Sequence, residues 1–227
     1  MNVGLIVAAG RSTRFKEGAK QYALLAGRPM LAYSVEAFCR AGSVDSVVVV
    51  VRDEDREYCA QEVVASVEST KPITIVAGGN ERQQSVAAGL KACPRGVDLV
   101  WVHDGARPLI TPDQIDAMVD ELNDFDGLTM AAPARDTIKH VEDGLIKRTI
   151  PRDQIWQAQT PQLFRFVTLD QAHKAAVQGG FTATDDSALV ELLGGRVAVC
   201  GNDLDNIKVT TPSDLKLAER ILLERTA

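Results

Sequence analysis

Residues 46–52 read SVVVVVR. The run is apolar without alternation, whereas a strand with one wet face would alternate apolar and polar side chains. It therefore reads as a strand covered on both faces, as inside a parallel sheet. Working outward, short apolar, β-branched runs recur at 2–8, 73–77, 98–103 and 127–133. Helical stretches separate them. PMLAYSVEAFCRAG, 29–42, begins with Pro29, suited to a first helical position, and ends near Gly42. DEDREYCAQEVVASV, 53–67, carries acids at its start, matching the helix dipole. Thr111-Pro112-Asp113-Gln114 and Thr211-Pro212-Ser213-Asp214 each read as an N-cap, a proline at N1 and a side chain at N3 that reaches back. This alternation implies right-handed βαβ units. The expected fold is α/β: a Rossmann-like, mostly parallel sheet with helices on both faces, in a single domain over residues 1–227.

One segment breaks the rhythm. DTIKHVEDGLIKRTI, 136–150, reads as a β-hairpin turning at Glu142-Asp143-Gly144. Lys139, His140, Lys147 and Arg148 make it too polar for a central pair of strands. A two-stranded hairpin alone is marginal in water. An arm at about 136–152 is therefore expected to protrude and pack on something, and a second copy of the chain is the natural candidate.

Composition bounds the function. The chain has 227 residues, 45% hydrophobic and 25% charged, with a formal net charge of -6. No apolar stretch reaches the roughly 18 to 20 residues of a membrane helix, so no membrane association is expected. The start, MNVGLIVAAG, has no charged leader or transit segment and reads as mature protein. Cys39, Cys59, Cys93 and Cys200 are scattered without a CxxC pair, as buried thiols in a reducing compartment are, and a cytoplasmic location is expected. Acidity argues against nucleic-acid binding. Against that background, Arg11, Arg14, Lys16 and Lys20 crowd one loop, which points to a small anion.

That loop, VAAGRSTRFKEGAKQY at 7–22, follows the first strand, and ligands of open α/β sheets bind beyond the carboxyl ends of strands. It is not a dinucleotide fingerprint, because the next glycine after Gly10 is Gly18, and GxxxxGK[ST] is absent. Ala8, Ala9 and Gly10 would let the backbone approach a base or phosphate, and Arg14 and Lys20 would add fixed positive charge. A triphosphate suits that combination; a solvated surface run is the plainer reading. GGNERQQSV, 78–86, adds glycines, the hydroxyl of Ser85 and Asn80 as a helix cap. HDGARP, 103–108, sets Asp104 beside Gly105 and Arg107, suited to a ribose or to magnesium, which takes one or two carboxylates plus phosphate oxygens. Turn chemistry would use the same residues. Taken singly, QTPQLF (159–164), TDDSALVE (184–191) and DNIKVTTP (205–212) read as turns or caps, with Thr184 capping a helix and DNIKV forming a short strand.

Taken together and in order, AAGxxxR…KQY, GGxxRxxSV, HDxARP, APxxDTIK, PR before QTPQ, TDDSALVE and DNIKVTTP resemble the 2-C-methyl-D-erythritol 4-phosphate cytidylyltransferase family over about residues 3 to 217. AAG, Arg and Lys alone would mark only the wider nucleotidyltransferases. The resemblance implies the nucleotide-diphospho-sugar transferase type of fold. It implies that CTP and methylerythritol 4-phosphate, with Mg2+ or another divalent cation, give the CDP-alcohol and pyrophosphate for isoprenoid precursors. No covalent enzyme intermediate is implied, so the protein positions and stabilises charge.

Carried over by position, Arg14 and Lys20 match the pair that stabilises the five-coordinate phosphorus and leaving pyrophosphate. Ala8, Ala9 and Gly10 match the nucleotide-contacting backbone. Gly79, Asn80 and Ser85, supported by Arg82, match the cytosine-reading segment. Asp104 matches the ribose- and metal-proximal aspartate. Gly105, which follows it, is taken with the nucleotide side and also borders the side that receives the sugar-alcohol phosphate, which Arg107, Thr160, Thr184 and Lys208 match. Thr137 and Arg152 flank the arm, and in the family these come from the neighbouring subunit of a homodimer. Ser12, Ala19, Asn80 and Gly105 depart from the common glycine, proline, aspartate and alanine; the first two bear on the loop's stiffness and remove no charged role, and Asn80 bears on the detail of the base contacts. Some members carry a fused cyclodiphosphate synthase domain; the chain stops after DLKLAERILLER, and none is expected. The alternatives are the same chemistry on ribitol 5-phosphate, an inert nucleotide-binding module, and a nicotinamide dehydrogenase, the last disfavoured by the failed GxGxxG.

Overall fold

The structure, a computed structural model, describes residues 1–10 and 20–226. The first strand, β1 (Asn2–Val7), leads through the small hairpin β2 (Leu24–Leu25) and β3 (Arg28–Pro29) to α1 (Met30–Arg40). Next come β4 (Ser46–Val51), α2 (Arg56–Tyr58), β5 (Ile73–Ala77), α3 (Arg82–Ala92), β6 (Leu99–Asp104) and α4 (Pro112–Leu122). The second half holds β7 (Gly127–Pro133), β8 (Ile138–Glu142), β9 (Leu145–Ile150), β10 (Trp156–Arg165), α5 (Phe166–Gly179), α6 (Asp186–Leu192), β11 (Val197–Gly201) and α7 (Pro212–Thr226). The central sheet has seven strands in the order β11-β7-β10-β6-β1-β4-β5. β10 alone runs against its neighbours; the β1, β4, β5 and β6 pairings and the β7–β11 pairing are parallel.

All six residues of β4 are buried, as its unbroken valines require. Val47, Val49 and Val51 pack with Leu31, Val35 and Phe38 of α1 and with Ile115 and Met118 of α4. Val48 and Val50 point the other way, onto Val86 and Leu90 of α3 and Leu169, Ala172 and Ala176 of α5. Alternate side chains of a strand face opposite sides, so one valine run serves both hydrophobic layers. Burying each valine contributes roughly 1.5–3 kcal/mol.

Both threonine-proline starts are realised. The Thr111 hydroxyl accepts from Gln114 N in a full capping box, and Thr211 Oγ1 accepts from Asp214 N while Asp214 accepts from Thr211 N. Five local expectations are corrected. Pro29 is the N-cap of α1 and Met30 its first residue. Asn80 does not cap α3: Glu81 does, in a capping box with Gln84. Thr184 does not cap α6; the Asp185 carboxylate accepts from Ala188 N at 3.1 Å, the stronger acceptor one residue on. DNIKV is not a strand, because its backbone serves the site instead: Asn206 O accepts from Arg107 and Val209 N donates to Ala106 O. The helix read at 53–67 is broken into a 3₁₀ turn, α2, a π turn at Cys59–Val63 and a second 3₁₀ turn. Cys59, Val63 and Val67 are buried at four-residue spacing. On an ideal α-helix such a row drifts by about 40° per step, and the wider π turn takes up the drift.

Besides the small β2–β3 hairpin, two strands of the central sheet have no counterpart in the sequence pattern. QTPQLF lies inside the ten-residue β10, and β11 forms a sheet edge. Pro161 cannot donate to a ladder, and the β7–β10 register shifts between Ala158 and Gln162, around it. The arm is as expected. β8 and β9 pair antiparallel with Glu142 opposite Leu145, and Asp143 and Gly144 both have positive φ, 51° and 75°, as a two-residue type I′ turn requires. Nearly every arm residue is exposed.

Candidate active site

The parallel strands end together at one edge of the sheet, and three of their loops leave side by side. Ladder bonds continue one residue past each strand: Ala8 N donates to Val50 O, Gly78 N to Val51 O and Gly105 N to Val7 O. Close packing fixes the loops. A Cβ on Gly78 would lie 2.6 Å from Ala9 Cβ and 2.7 Å from Ser85 Oγ, so only glycine fits there. Gly105 sits beneath the first loop, where an added Cβ would meet Leu31 Cδ1 at 2.7 Å and Ala8 Cβ at 3.2 Å.

Two adjoining clefts open at this edge, of about 200 and 230 Å³. The first is walled by Ala8, Ala9, Gly10, Lys20, Gly79, Asn80 and Ser85. The second is walled by Arg107, Thr160, Thr184 and Asp185. Arg82, Asp104 and Lys208 belong to both and form the divide. Asp104 Oδ1 accepts from Arg82 Nε at 3.1 Å and Oδ2 from Lys208 Nζ at 2.6 Å. Burial alone would raise this carboxyl; Arg82 and Lys208 outweigh it and hold Asp104 well below the usual range, ionised at any working pH.

The supports are equally specific. Asp104 N donates to Thr160 Oγ1 at 2.9 Å, and that hydroxyl meets His103 Nδ1 at 3.2 Å. His103 Nε2 meets Arg107 O at 3.1 Å. The Thr160 hydroxyl has one proton to give, so Nδ1 accepts it and Nε2–H donates to Arg107 O. Burial pushes the fully enclosed His103 down to about 4, which keeps the ring neutral in this arrangement. Arg107 Nη1 donates to Asn206 O at 2.6 Å. Ser85 Oγ accepts from Gly79 N and donates to Glu81 O, pinning the second loop to the start of α3. Among the described residues, the buried nitrogens Arg82 Nη2 and Arg107 Nε have no hydrogen-bond partner. Buried donors are rarely left so, and an arriving anion would supply acceptors.

The structure thus brings together Ala8, Ala9, Gly10, Lys20, Gly79, Asn80, Arg82, Ser85, Asp104, Arg107, Thr160, Thr184 and Lys208. Gly105 is buried behind the wall. Thr137 and Arg152 stand exposed at the foot of the arm, outside both clefts; Arg152 Nη1 donates to Arg135 O. Arg14 lies outside the described residues. The sequence places Asp186 in the TDDSALVE motif but gives it no role of its own; in the structure its carboxylate accepts from Arg82 Nη1 at 2.7 Å. The separation of 104 residues hides that pair from any local pattern.

A metal was expected at Asp104. A carboxylate offers about four acceptor directions, and Arg82 and Lys208 take two. Among the described residues no group of three or more His, Cys, Asp or Glu is placed to hold an ion. The donor set suits an ion carried in on phosphate oxygens that takes one protein carboxylate, as magnesium does.

Comparison with known proteins places this geometry. A model of the 2-C-methyl-D-erythritol 4-phosphate cytidylyltransferase family matches residues 3–224. The enzyme of that name from Geobacter metallireducens is 42% identical over 225 residues, 97% of each chain. The bifunctional enzyme IspD/IspF of Desulforudis audaxviator is 44% identical over 222 residues; the match takes in 97% of this chain and 56% of that protein. Among solved structures, 4-diphosphocytidyl-2C-methyl-D-erythritol synthase from Anaerococcus prevotii superposes with a TM-score of 0.86 at 27% identity, covering 98% of both chains.

Proposed function

The chain belongs to the 2-C-methyl-D-erythritol 4-phosphate cytidylyltransferase family, and from that premise we infer that it transfers the cytidylyl group of CTP to methylerythritol 4-phosphate in isoprenoid precursor synthesis. A phosphate oxygen of the polyol phosphate attacks the α-phosphorus of CTP in line. One O–P bond forms, the bond from the α-phosphorus to the bridging oxygen breaks, and pyrophosphate leaves. One observation carries the assignment of roles: two clefts share a divide of Arg82, Asp104 and Lys208. CTP takes the first, against the small residues 8–10 and the Gly79–Ser85 segment. The polyol phosphate takes the second, toward Arg107, Thr160, Thr184 and Lys208. The transferred phosphorus sits over the divide.

Lys20, in the wall of the CTP cleft, and Arg14, in the same loop of the sequence, stabilise the charge that builds on the five-coordinate phosphorus and the leaving pyrophosphate. Such oriented charge is worth on the order of 10²–10³ in rate. Lys208 holds Asp104 in the absence of substrate and turns to phosphate when it arrives. Magnesium, carried on the triphosphate and touching Asp104, would neutralise phosphate charge. Asn80 and Ser85 border the base, with Ser85 fixing the backbone that reads it.

The arm proposes a homodimer. Val141, Leu145 and Ile146 are 50–65% exposed on it, apolar surface that a monomer leaves in water. Thr137 and Arg152 stand away from their own clefts and would serve the partner's. The cysteines are free, and among the described residues no helix is long and apolar enough to cross a membrane; a reducing cytoplasm suits such a chain.

The test is pyrophosphate release from CTP and magnesium, with methylerythritol 4-phosphate in one reaction and ribitol 5-phosphate in another. Release with the first alone is expected, and chelation of the metal should abolish it. Release with ribitol 5-phosphate alone would keep the cleft chemistry and overturn the substrate. Release with neither would overturn the enzyme.

A further inference from the structure

Arg82 has a second anchor that the reaction as described does not use. Its Nε binds Asp104 and its Nη1 binds Asp186 at the first residue of α6. The other oxygen of Asp186 accepts from His173 Nε2 of α5 at 2.9 Å, and Asp186 N donates to Gln162 Oε1 of β10. Asp186 and His173 are 1% and 3% exposed. A carboxylate accepts only, so His173 Nε2 carries the proton of that bond. Charged and donor groups thus alternate from α5 through the divide: His173, Asp186, Arg82, Asp104, Lys208.

The two cations on Asp104 are therefore held unequally. An incoming phosphate that takes Lys208, a side chain 44% exposed, breaks one bond, to Asp104. One that drew Arg82 away from Asp104 would also strain its bond to Asp186, which is almost fully enclosed, so Arg82 can meet a phosphate through Nη2 while both carboxylates keep hold of it. We propose that His173 and Asp186 are positioning residues for cytidylyl transfer, holding Arg82 on Asp104 so that Lys208 is the cation released to the phosphates. This rests on the cytidylyltransferase reading. Without the Asp186 charge, Arg82 would keep one anchor and turn toward bound triphosphate, improving ground-state binding while Lys208 stays on Asp104.

The experiment compares Asp186→Asn, His173→Leu and His173→Gln with wild type by pyrophosphate release and by the NMR signal of the Arg82 Nε–H. Glutamine places an amide N–H near the former Nε2–H. Asp186→Asn should lower kcat at least tenfold with the KM for CTP unchanged or lower, a split that lost folding does not give. His173→Leu should move the same way, and His173→Gln should return to within threefold of wild type. The Asp186→Asn and His173→Leu effects should not add, because one acts through the other. The Arg82 signal should shift in His173→Leu and hold in His173→Gln. Wild-type kcat in His173→Leu, equal damage from glutamine and leucine, or additive effects would each overturn the proposal. Should His173→Leu fail to fold, His173→Asn takes its place with the same expectations. Inert wild type would overturn the cytidylyltransferase reading instead, and the Arg82 signal would still decide the positioning.

Discussion

The divide between the clefts and the arm are built on opposite terms. At the divide, the described polar groups are tied from several elements at once: Asp104 by Arg82, Lys208 and Thr160, and Arg107 by Asn206. The arm satisfies its backbone through its own ladder and leaves its side chains in water. Backbone pairing alone does not stabilise two strands. The divide is tied together within one chain, whereas among the described residues nothing covers the arm's side chains. Mutations should therefore act on chemistry at the first region and on assembly at the second.

The hardest test of that contrast is Lys20→Ala. If the loop supplies transition-state charge, kcat should fall about 10²–10³-fold while the KM for CTP moves little. Steady-state kinetics separate the two. Wild-type kcat with a raised KM would make Lys20 a binding group only and move the catalytic charge elsewhere.

Acid should strike the divide before it strikes the rest of the chain. His103 is held neutral down to about 4, against 6.5 for a free imidazole. Below about 6.5 the unfolded chain takes a proton there that the folded one refuses, so stability is full above that pH and falls as pH drops toward 4. The loss approaches about 3 kcal/mol at the lower limit. Urea unfolding at pH 4.5 and pH 7 measures it, and His103→Asn should flatten the difference. An unchanged slope in the variant would place the acid sensitivity outside the divide.

Replacing 139–148 with a short glycine turn tests the other side. The divide should fold as before, so CTP binding should survive. Sedimentation should report a monomer, and the KM for methylerythritol 4-phosphate should rise roughly thirtyfold, about 2 kcal/mol, because Thr137 and Arg152 no longer reach a neighbouring cleft. A fully active monomer would end the shared-site reading.

What the sequence disclosed follows the range of each interaction. The valines at 47–51, the threonine-proline caps and the Asp143-Gly144 turn are local patterns, and each took the expected form. β10 escaped because Pro161 argues against a central strand until a register shift makes room for it. Asn80 and Thr184 missed their capping roles by one residue, which pattern reading does not resolve. In the site, the loop residues were legible from their place after strands. Asp186 and His173 were not, since their bonds cross from α6 to α3 and from α5 to α6. The resemblance grouped the cleft residues; only coordinates show that Arg82, Asp104 and Lys208 divide it.

The smallest test is Gly144→Ala. Gly144 has φ of 75° and open space around its missing Cβ, so alanine meets no neighbour and only the backbone objects. A left-handed conformation costs an L-residue roughly 1–2 kcal/mol. At the divide such a cost would be absorbed by the many ties of a packed element. On the arm it competes directly with a marginal hairpin, so it should appear in assembly: about a fivefold to tenfold weaker dimer by analytical ultracentrifugation, with kcat at saturating substrate and dimer concentration unchanged. If Gly144→Ala lowered kcat in the intact dimer, the turn would be coupled to the partner's chemistry, and the separation of the two regions would fail.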